Sequence, residues 1–192
     1  MAGILERPAA PTRHRLDVDA YYRMAEAGIL TDSCRVELID GDIIDMTPIG
    51  SAHAGHTNRL IERFARAAAA GDVLLTVQTP LRLDAYDEPQ PDLMLLRPRA
   101  DHYKTRHPSA PDVLLLVEVS DSSLAYDRNT KLGLYARFGV PEVWIVDIPG
   151  VVVEAYREPE DGAYRRCERL PAGILSPALV PQITIDVAWL LG

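Results

Sequence analysis

Val113-Leu114-Leu115-Leu116-Val117-Glu118-Val119-Ser120 is the stretch whose reading decides the fold. From Val113 to Val119 the residues are almost continuously apolar and β-forming, the pattern of a central strand buried on both faces. A single charge, Glu118, interrupts it. Immediately downstream, Asp127 to Phe138 has helical spacing and is closed by Gly139, and after Pro141 the next strand runs from Glu142 to Asp147. Further on, Val151 to Tyr156 and Tyr164 to Arg169 read as antiparallel strands.

Upstream, Asp92 to Leu96 reads as a short strand, and Val73 to Val77 and Leu81 to Leu83 as strands split by Pro80. Arg97 to Pro111 is a Pro-rich, charged loop. Ser51 is expected to cap a long helix ending near Ala70, with Leu60, Ile61, Phe64, Ala65 and Ala68 as its apolar stripe and Gly71 as its stop. Asp40-Gly41, between two extended segments at 35–39 and 42–46, is the dipeptide of a type I′ hairpin turn. Asp17 opens a helix over 18–30 whose stripe of Tyr21, Tyr22, Met24, Ala25 and Ile29 is expected to pack on the sheet, with Gly28 as its stop. Residues 1–16, with Pro8 and Pro11, read as a flexible arm, and 17–192 as one α/β domain: a central mixed β-sheet flanked by helices.

At 192 residues a single core suffices without disulfides, so Cys34 and Cys167 look incidental. No apolar run approaches the roughly 20 residues of a membrane span, and the N-terminus lacks a signal-peptide pattern, which predicts a cytoplasmic protein with no membrane contact. Lys and Arg total 20 against 28 Asp and Glu, a formal charge of −8 that opposes broad attraction to phosphate backbones. Any nucleic-acid contact must therefore use a local patch.

The chemistry gathers in Pro91-Asp92, in Glu118-Val119-Ser120 at the end of the buried strand, and in Lys131 on the following helix. A carboxylate ending a strand of aliphatics is costly to desolvate alone and calls for a metal, a hydrogen-bond network or a cation. Two carboxylates, Asp92 and Glu118, with a backbone carbonyl leave room for water in the shell of Mg2+ or Mn2+, which would polarise a phosphodiester and activate its attacking water. Lys131 would orient that water or stabilise charge on the phosphate.

Five segments in order, VELIDGDIIDM, SAHAGHTNRL, QPDLMLL, LLVEVSDSS and DRNTKLGLYARFGVPEVWIVD, together resemble the Uma2 family within the PD-(D/E)XK restriction-endonuclease-like superfamily, over about residues 17–190. The resemblance implies a restriction-endonuclease-like core, Mg2+-dependent cleavage of DNA, and often a homodimer. Asp92 matches the acid of the PD element and Glu118 the first acid of the E-x-K element, making both candidate metal ligands. Where the superfamily has lysine two residues later this chain has Ser120, and the lysine moves to Lys131, which resembles the Uma2 arrangement. Val119 would offer its backbone carbonyl to the metal. Glu37 matches the acid before the D-G turn, and His53 the histidine opening the long helix, where it would contact phosphate or assist proton transfer.

Each residue also has a plainer reading. Glu118 would cap backbone amides or pair with arginine, Asp92 would be a turn residue after Pro91, and Lys131 a solvated helix lysine. Tyr135, one turn after Lys131, would brace it or be a half-buried core tyrosine. His53 and His56 have the i, i+3 spacing of zinc ligands but no third ligand, and Ser120, Ser122 and Ser123 lack a nucleophile elbow. Asp121 and Asp127 would cap the turn and helix that follow Glu118. Arg59, Arg63 and Arg66 would face DNA phosphate or simply solvent. The expected function is a DNA endonuclease using a metal-activated water. The alternatives are a non-catalytic binding or regulatory protein on the same fold and a hydrolase for another phosphate-containing substrate.

Overall fold

Asp17 accepts a hydrogen bond from the Ala20 N–H and opens helix α1, Val18–Glu26. The computed structural model describes residues 12–31 and 33–192; the expectation of an arm over residues 1–11 lies outside them. Residues 12–16 are tied to the hairpin that follows, with Arg13 paired to Asp40 and Asp42 and Arg15 to Asp40. Helix α1 departs from expectation. It buries Val18 alone, and Ile29, expected in its packed stripe, lies beyond its end and is 64% exposed. Its tyrosines act as tethers: Tyr21 donates to the Val36 carbonyl and Tyr22 to Glu88.

Strands β1 (Val36–Ile39) and β2 (Asp42–Asp45) pair antiparallel, and Asp40 and Gly41 both have positive φ, 52° and 76°, as a type I′ turn requires. A side chain at Gly41 would also strike Arg15, since its Cβ would lie 2.6 Å from the Arg15 Cβ. Helix α2 runs from Ser51 to Ala70 and ends on Gly71 in the left-handed conformation. Ser51 is its first helical residue rather than its cap; Gly50 takes the cap position without a side-chain hydrogen bond.

The main sheet contains β3 (Leu74–Val77), β4 (Leu93–Leu96), β5 (Val113–Ser120), β6 (Glu142–Asp147), β7 (Val152–Glu160) and β8 (Ala163–Leu170), adjacent in that order. Every neighbouring pair is antiparallel except β5–β6, so the sheet is mixed. No strand forms at 81–83. Leu81 N–H bonds Pro89 O, Arg82 N–H bonds Pro108 O and Leu83 N–H bonds Asp87 O, a local closure in a segment where Pro80, Pro89 and Pro91 cannot donate to a ladder.

Between β5 and β6 the chain forms α3 (Leu124–Tyr126), a π-helical turn (Asp127–Lys131) and α4 (Leu132–Arg137), where the sequence pattern predicts a plain helix. A small β9–β10 pair (Ile174–Leu175 with Ile185–Asp186) and α5 (Val187–Leu191) complete the fold.

Strand alternation divides the core in two. Leu115, Val117 and Val119 join Leu60, Phe64 and Trp144 on the α2 side, while Leu116 joins Tyr135, Val143 and Ile145 on the α4 side. Glu118, two residues beyond Leu116, therefore points to the α4 side. All eight residues of β5 are buried, as the apolar run predicts.

Candidate active site

Antiparallel pairing of β4 with β5 aligns Leu93 with Val117, which places Asp92, just before β4, beside Glu118 near the end of β5. The two acids exchange backbone contacts: Asp92 N–H donates to Glu118 Oε2 at 3.3 Å, and Val119 N–H donates to Asp92 Oδ2 at 2.9 Å. The π turn is wider than an α turn, a distortion common at functional sites. It ends on Lys131, which is buried and lies 3.1 Å from Glu118 Oε1 and 3.2 Å from Glu37 Oε2. Tyr135, four residues on, donates to the same Glu118 oxygen at 2.5 Å. Glu37 comes from the hairpin and also accepts the Gln90 N–H. His53, in the first turn of α2, sits with Nε2 3.0 Å from Asp92 Oδ2.

Asp92, Glu118, Lys131, Glu37 and His53 thus line one cleft of about 420 Å³ between the hairpin, the start of α2 and the loop after β5. The plain solvated reading of Lys131 does not describe it, and Tyr135 is fully buried rather than half-buried. Asp127 does not cap a helix with its side chain. It accepts from Ser120 Oγ and Ser123 Oγ, both at 2.7 Å, which commits those hydroxyl protons to a carboxylate. Asp121 and Ser122 are exposed at the cleft mouth.

His56 turns its Nδ1 toward Ala52 O and does not join His53. Arg59 and Arg63 do not present free guanidinium groups to solvent: they bind the carbonyls of Trp189, Leu190 and Thr184 and so fasten the C-terminal segment to α2. Arg66 is exposed.

Burial, with the charges of Asp127 and Asp92, pushes the Glu118 carboxyl up to about 8 against the pull of Lys131 and Tyr135. For Lys131 burial opposes the charge, but Glu118, Glu37 and Asp127 outweigh it and hold the ammonium above the usual lysine range. Burial also raises Asp92, yet the His53 contact, the Val119 N–H and Lys131 overcome it and keep the carboxyl below its ordinary value. His53 is raised in return by its hydrogen bond to Asp92.

The donor set can be compared with what a hard divalent cation needs. Each acid keeps one oxygen with only a long hydrogen bond, Asp92 Oδ1 at 3.4 Å from Gln78 Nε2 and Glu118 Oε2 at 3.3 Å. A residue in a strand directs its N–H and C=O to the same side, so the Val119 carbonyl faces the Asp92 side along with its N–H. Two carboxylates and one carbonyl, all oxygen, fit Mg2+ or Mn2+ with water in the remaining positions. No group of three or more His, Cys, Asp or Glu side chains able to hold a metal occurs among the described residues, so the zinc spacing of His53 and His56 gains no third ligand.

Sequence reading misses Gln90, which contributes a backbone amide that carries no side-chain signal, and Tyr126, whose cleft position depends on the π turn. No helix among the described residues is long and apolar enough to cross a membrane.

The architecture is that of a nuclease-like α/β fold. A crystal structure described as "a putative nuclease belonging to DUF820", from Anabaena variabilis, matches with a TM-score of 0.69 and 13% identity, covering 92% of this chain and 97% of that one. The chain belongs to the Uma2 family, described as "Putative restriction endonuclease", whose sequence model matches residues 18–188. No curated protein matches it.

Proposed function

We propose that the protein is a Mg2+-dependent DNA endonuclease that hydrolyses phosphodiester bonds, with Asp92, Glu118 and the Val119 carbonyl as metal ligands and Lys131 as the cation facing the phosphate. The observation that carries this reading is the convergence of two buried acids, each with an oxygen only loosely bonded, on a buried lysine in one cleft. Bound there, Mg2+ would polarise the phosphodiester and lower the pKa of the attacking water. Lys131 contributes a fixed positive charge to stabilise the phosphate as negative charge builds on it. Tyr135 and Glu37 hold that ammonium and its acid partner in register, and His53, paired with Asp92, orients the carboxylate and can carry a proton.

Cleavage of supercoiled and single-stranded DNA with Mg2+, Mn2+ or EDTA, by wild type and Glu118→Ala purified in parallel, tests the reading. Metal-dependent cutting lost in the variant supports it; equal cutting by both removes the assigned site.

A second reading, a non-catalytic binding protein, is favoured by one observation. The cleft is bordered by Glu37, Asp45, Asp92, Glu118, Asp121 and Asp127, with Arg35, Lys131 and His53 as its basic residues. Capture of a partner or of DNA that survives EDTA, without cleavage, would favour it.

A further inference from the structure

The hairpin side of the cleft differs in chemistry from its floor. Glu37 stands opposite Ile44 in the β1–β2 ladder, and the pairing continues one step outward, where Met46 N–H donates to Arg35 O at 2.8 Å. Side chains alternate along a strand and directly paired residues share a face, so Arg35, Glu37, Ile44 and Met46 lie together on the face that lines the cleft. The chain then carries Pro48 and Ile49 along the same cleft before Gly50 takes the cap position of α2. Ile49 is 43% exposed, and Pro48 is exposed as well. Four apolar side chains thus form a wall, partly open to solvent, beside a floor of buried acids.

An aliphatic wall offers nothing to a phosphate or to Mg2+, which call for charge and oxygen ligands. It suits the face of a base, which enzymes that handle extruded nucleotides hold against apolar side chains. At about 420 Å³ the cleft has the size of a small-molecule site and so has room for a nucleotide. A base inside a closed duplex is stacked on both faces and cannot reach the wall, and unpairing it costs a few kcal/mol, least where the strand is already single. Charge points the same way. Among the described residues six carboxylates line the cleft, while Lys131 is held by Glu37 and Glu118, and His53 by Asp92. Arg35 is the remaining basic residue of the lining, with a hydrogen bond to the Thr47 carbonyl at 3.3 Å. Duplex binding without sequence preference is drawn by many phosphate contacts, and a cleft so short of cations supplies few.

We propose that Ile44, Met46, Pro48 and Ile49 bind an unpaired base next to the scissile phosphate, so that the substrate is single-stranded or locally unpaired DNA. The proposal rests on the nuclease reading above and specifies its substrate. The floor takes the phosphate and the wall takes the attached base.

The test measures Mg2+-dependent cleavage of one fluorescent DNA sequence in three forms, as a single strand, as a perfect duplex and as a duplex with a central unpaired bubble, by wild type, Ile49→Ser and Ile49→Trp. Wild type is expected to cut the single strand with a kcat/KM at least about tenfold above that for the duplex, and to cut the third form within its bubble. Ile49→Ser removes part of the wall and should raise KM for the single strand about fivefold, with kcat within about twofold. Ile49→Trp adds a flat face on which a base can stack and should lower that KM by about as much, which keeps the test decisive if serine loosens the loop. A duplex cut as readily as the single strand, cuts outside the bubble, or a KM that neither variant moves would each overturn the proposal while leaving the nuclease reading intact. Absence of metal-dependent cleavage of all three forms would overturn both.

Discussion

Tyr135 donates its hydroxyl to Glu118 Oε1 across 2.5 Å, the same oxygen that faces the Lys131 ammonium. The bond favours the carboxylate form, so Tyr135 counteracts the burial that pushes Glu118 up to about 8. Above about pH 8, where Glu118 is charged, Tyr135→Phe is expected to cost about 1.5–3 kcal/mol, the range for a hydrogen bond to a charged group. It should also move the acidic limb of the kcat/KM profile to higher pH. Stability loss with an unmoved limb would reduce Tyr135 to a packing residue.

Glu118 carries a sign that can be read in stability alone. Its folded value of about 8 lies above the ordinary 4.5, so between those values the folded chain holds a proton the unfolded chain has lost. The group's contribution is thus fully present below about 4.5 and is lost as pH rises through about 8. Glu118→Gln removes the titration. Its melting temperature relative to wild type should climb from pH 5 to pH 9 by at least about 2–4 °C, the equivalent of 1 kcal/mol in a chain of this size. A constant difference across that range would mean that Glu118 ionises as an ordinary carboxylate.

Lys131→Met leaves Glu37 and Glu118 buried without their ammonium. Removing one partner of a buried ion pair costs about 3–5 kcal/mol. The loss should shrink as pH falls through about 8, where Glu118 takes a proton, and cleavage should disappear throughout. Wild-type turnover in this variant would return Lys131 to a structural role.

On the proposed reading, Mg2+ at Asp92 and Glu118 would compete with the proton on Glu118. Saturating Mg2+, at about 100 times its dissociation constant, would stabilise the folded state by about 2.7 kcal/mol. The shift in melting temperature should therefore be larger at pH 9 than at pH 6.5, and it should vanish in Asp92→Asn. Equal shifts in wild type and variant would place the ion elsewhere.

Arg63 holds both the carbonyl and the hydroxyl of Thr184. Arg63→Ala is expected to cost about 1–3 kcal/mol by leaving that carbonyl short of a donor, without changing the salt dependence of DNA binding. A flatter salt dependence would show that the guanidinium reaches phosphate after all.

The buried run 113–119, the helix and strand after it and the Asp40-Gly41 turn are legible because each is a local pattern with a local cause: a run of β-forming residues, a helical stripe, a dipeptide able to hold two positive φ values. Asp92, Glu118 and Lys131 are legible as chemistry because charges beside an aliphatic strand stand out. What escapes is set by distant partners. The tyrosines of α1 suggest a packed stripe, yet their hydroxyls reach Val36 and Glu88 across the fold. Arg59 and Arg63 have the spacing of a solvated face, and a C-terminal segment more than 120 residues away covers it. The π turn leaves no mark in the spacing, so the place of Tyr126 could not be read from a regular helix.

Strands β5 and β6 are the sheet's parallel pair, and the segment joining them carries Lys131 and Tyr135 while β5 carries Glu118. The ammonium, its acid and its phenol therefore belong to one strand–helix–strand crossover, which closes over a short stretch of chain. Glu37 belongs instead to a hairpin whose ladder is separate from the main sheet, joined to the chain beyond it by the Leu38–Glu88 bridge. The inner half of the site is thus local in sequence, whereas the hairpin reaches it only through contacts with distant residues, and the hairpin is expected to open as a separate unit. Amide hydrogen exchange should find Leu38 and Ile39 opening more readily than Val117 and Val119, so the cleft opens from the hairpin side while its charged floor stays folded.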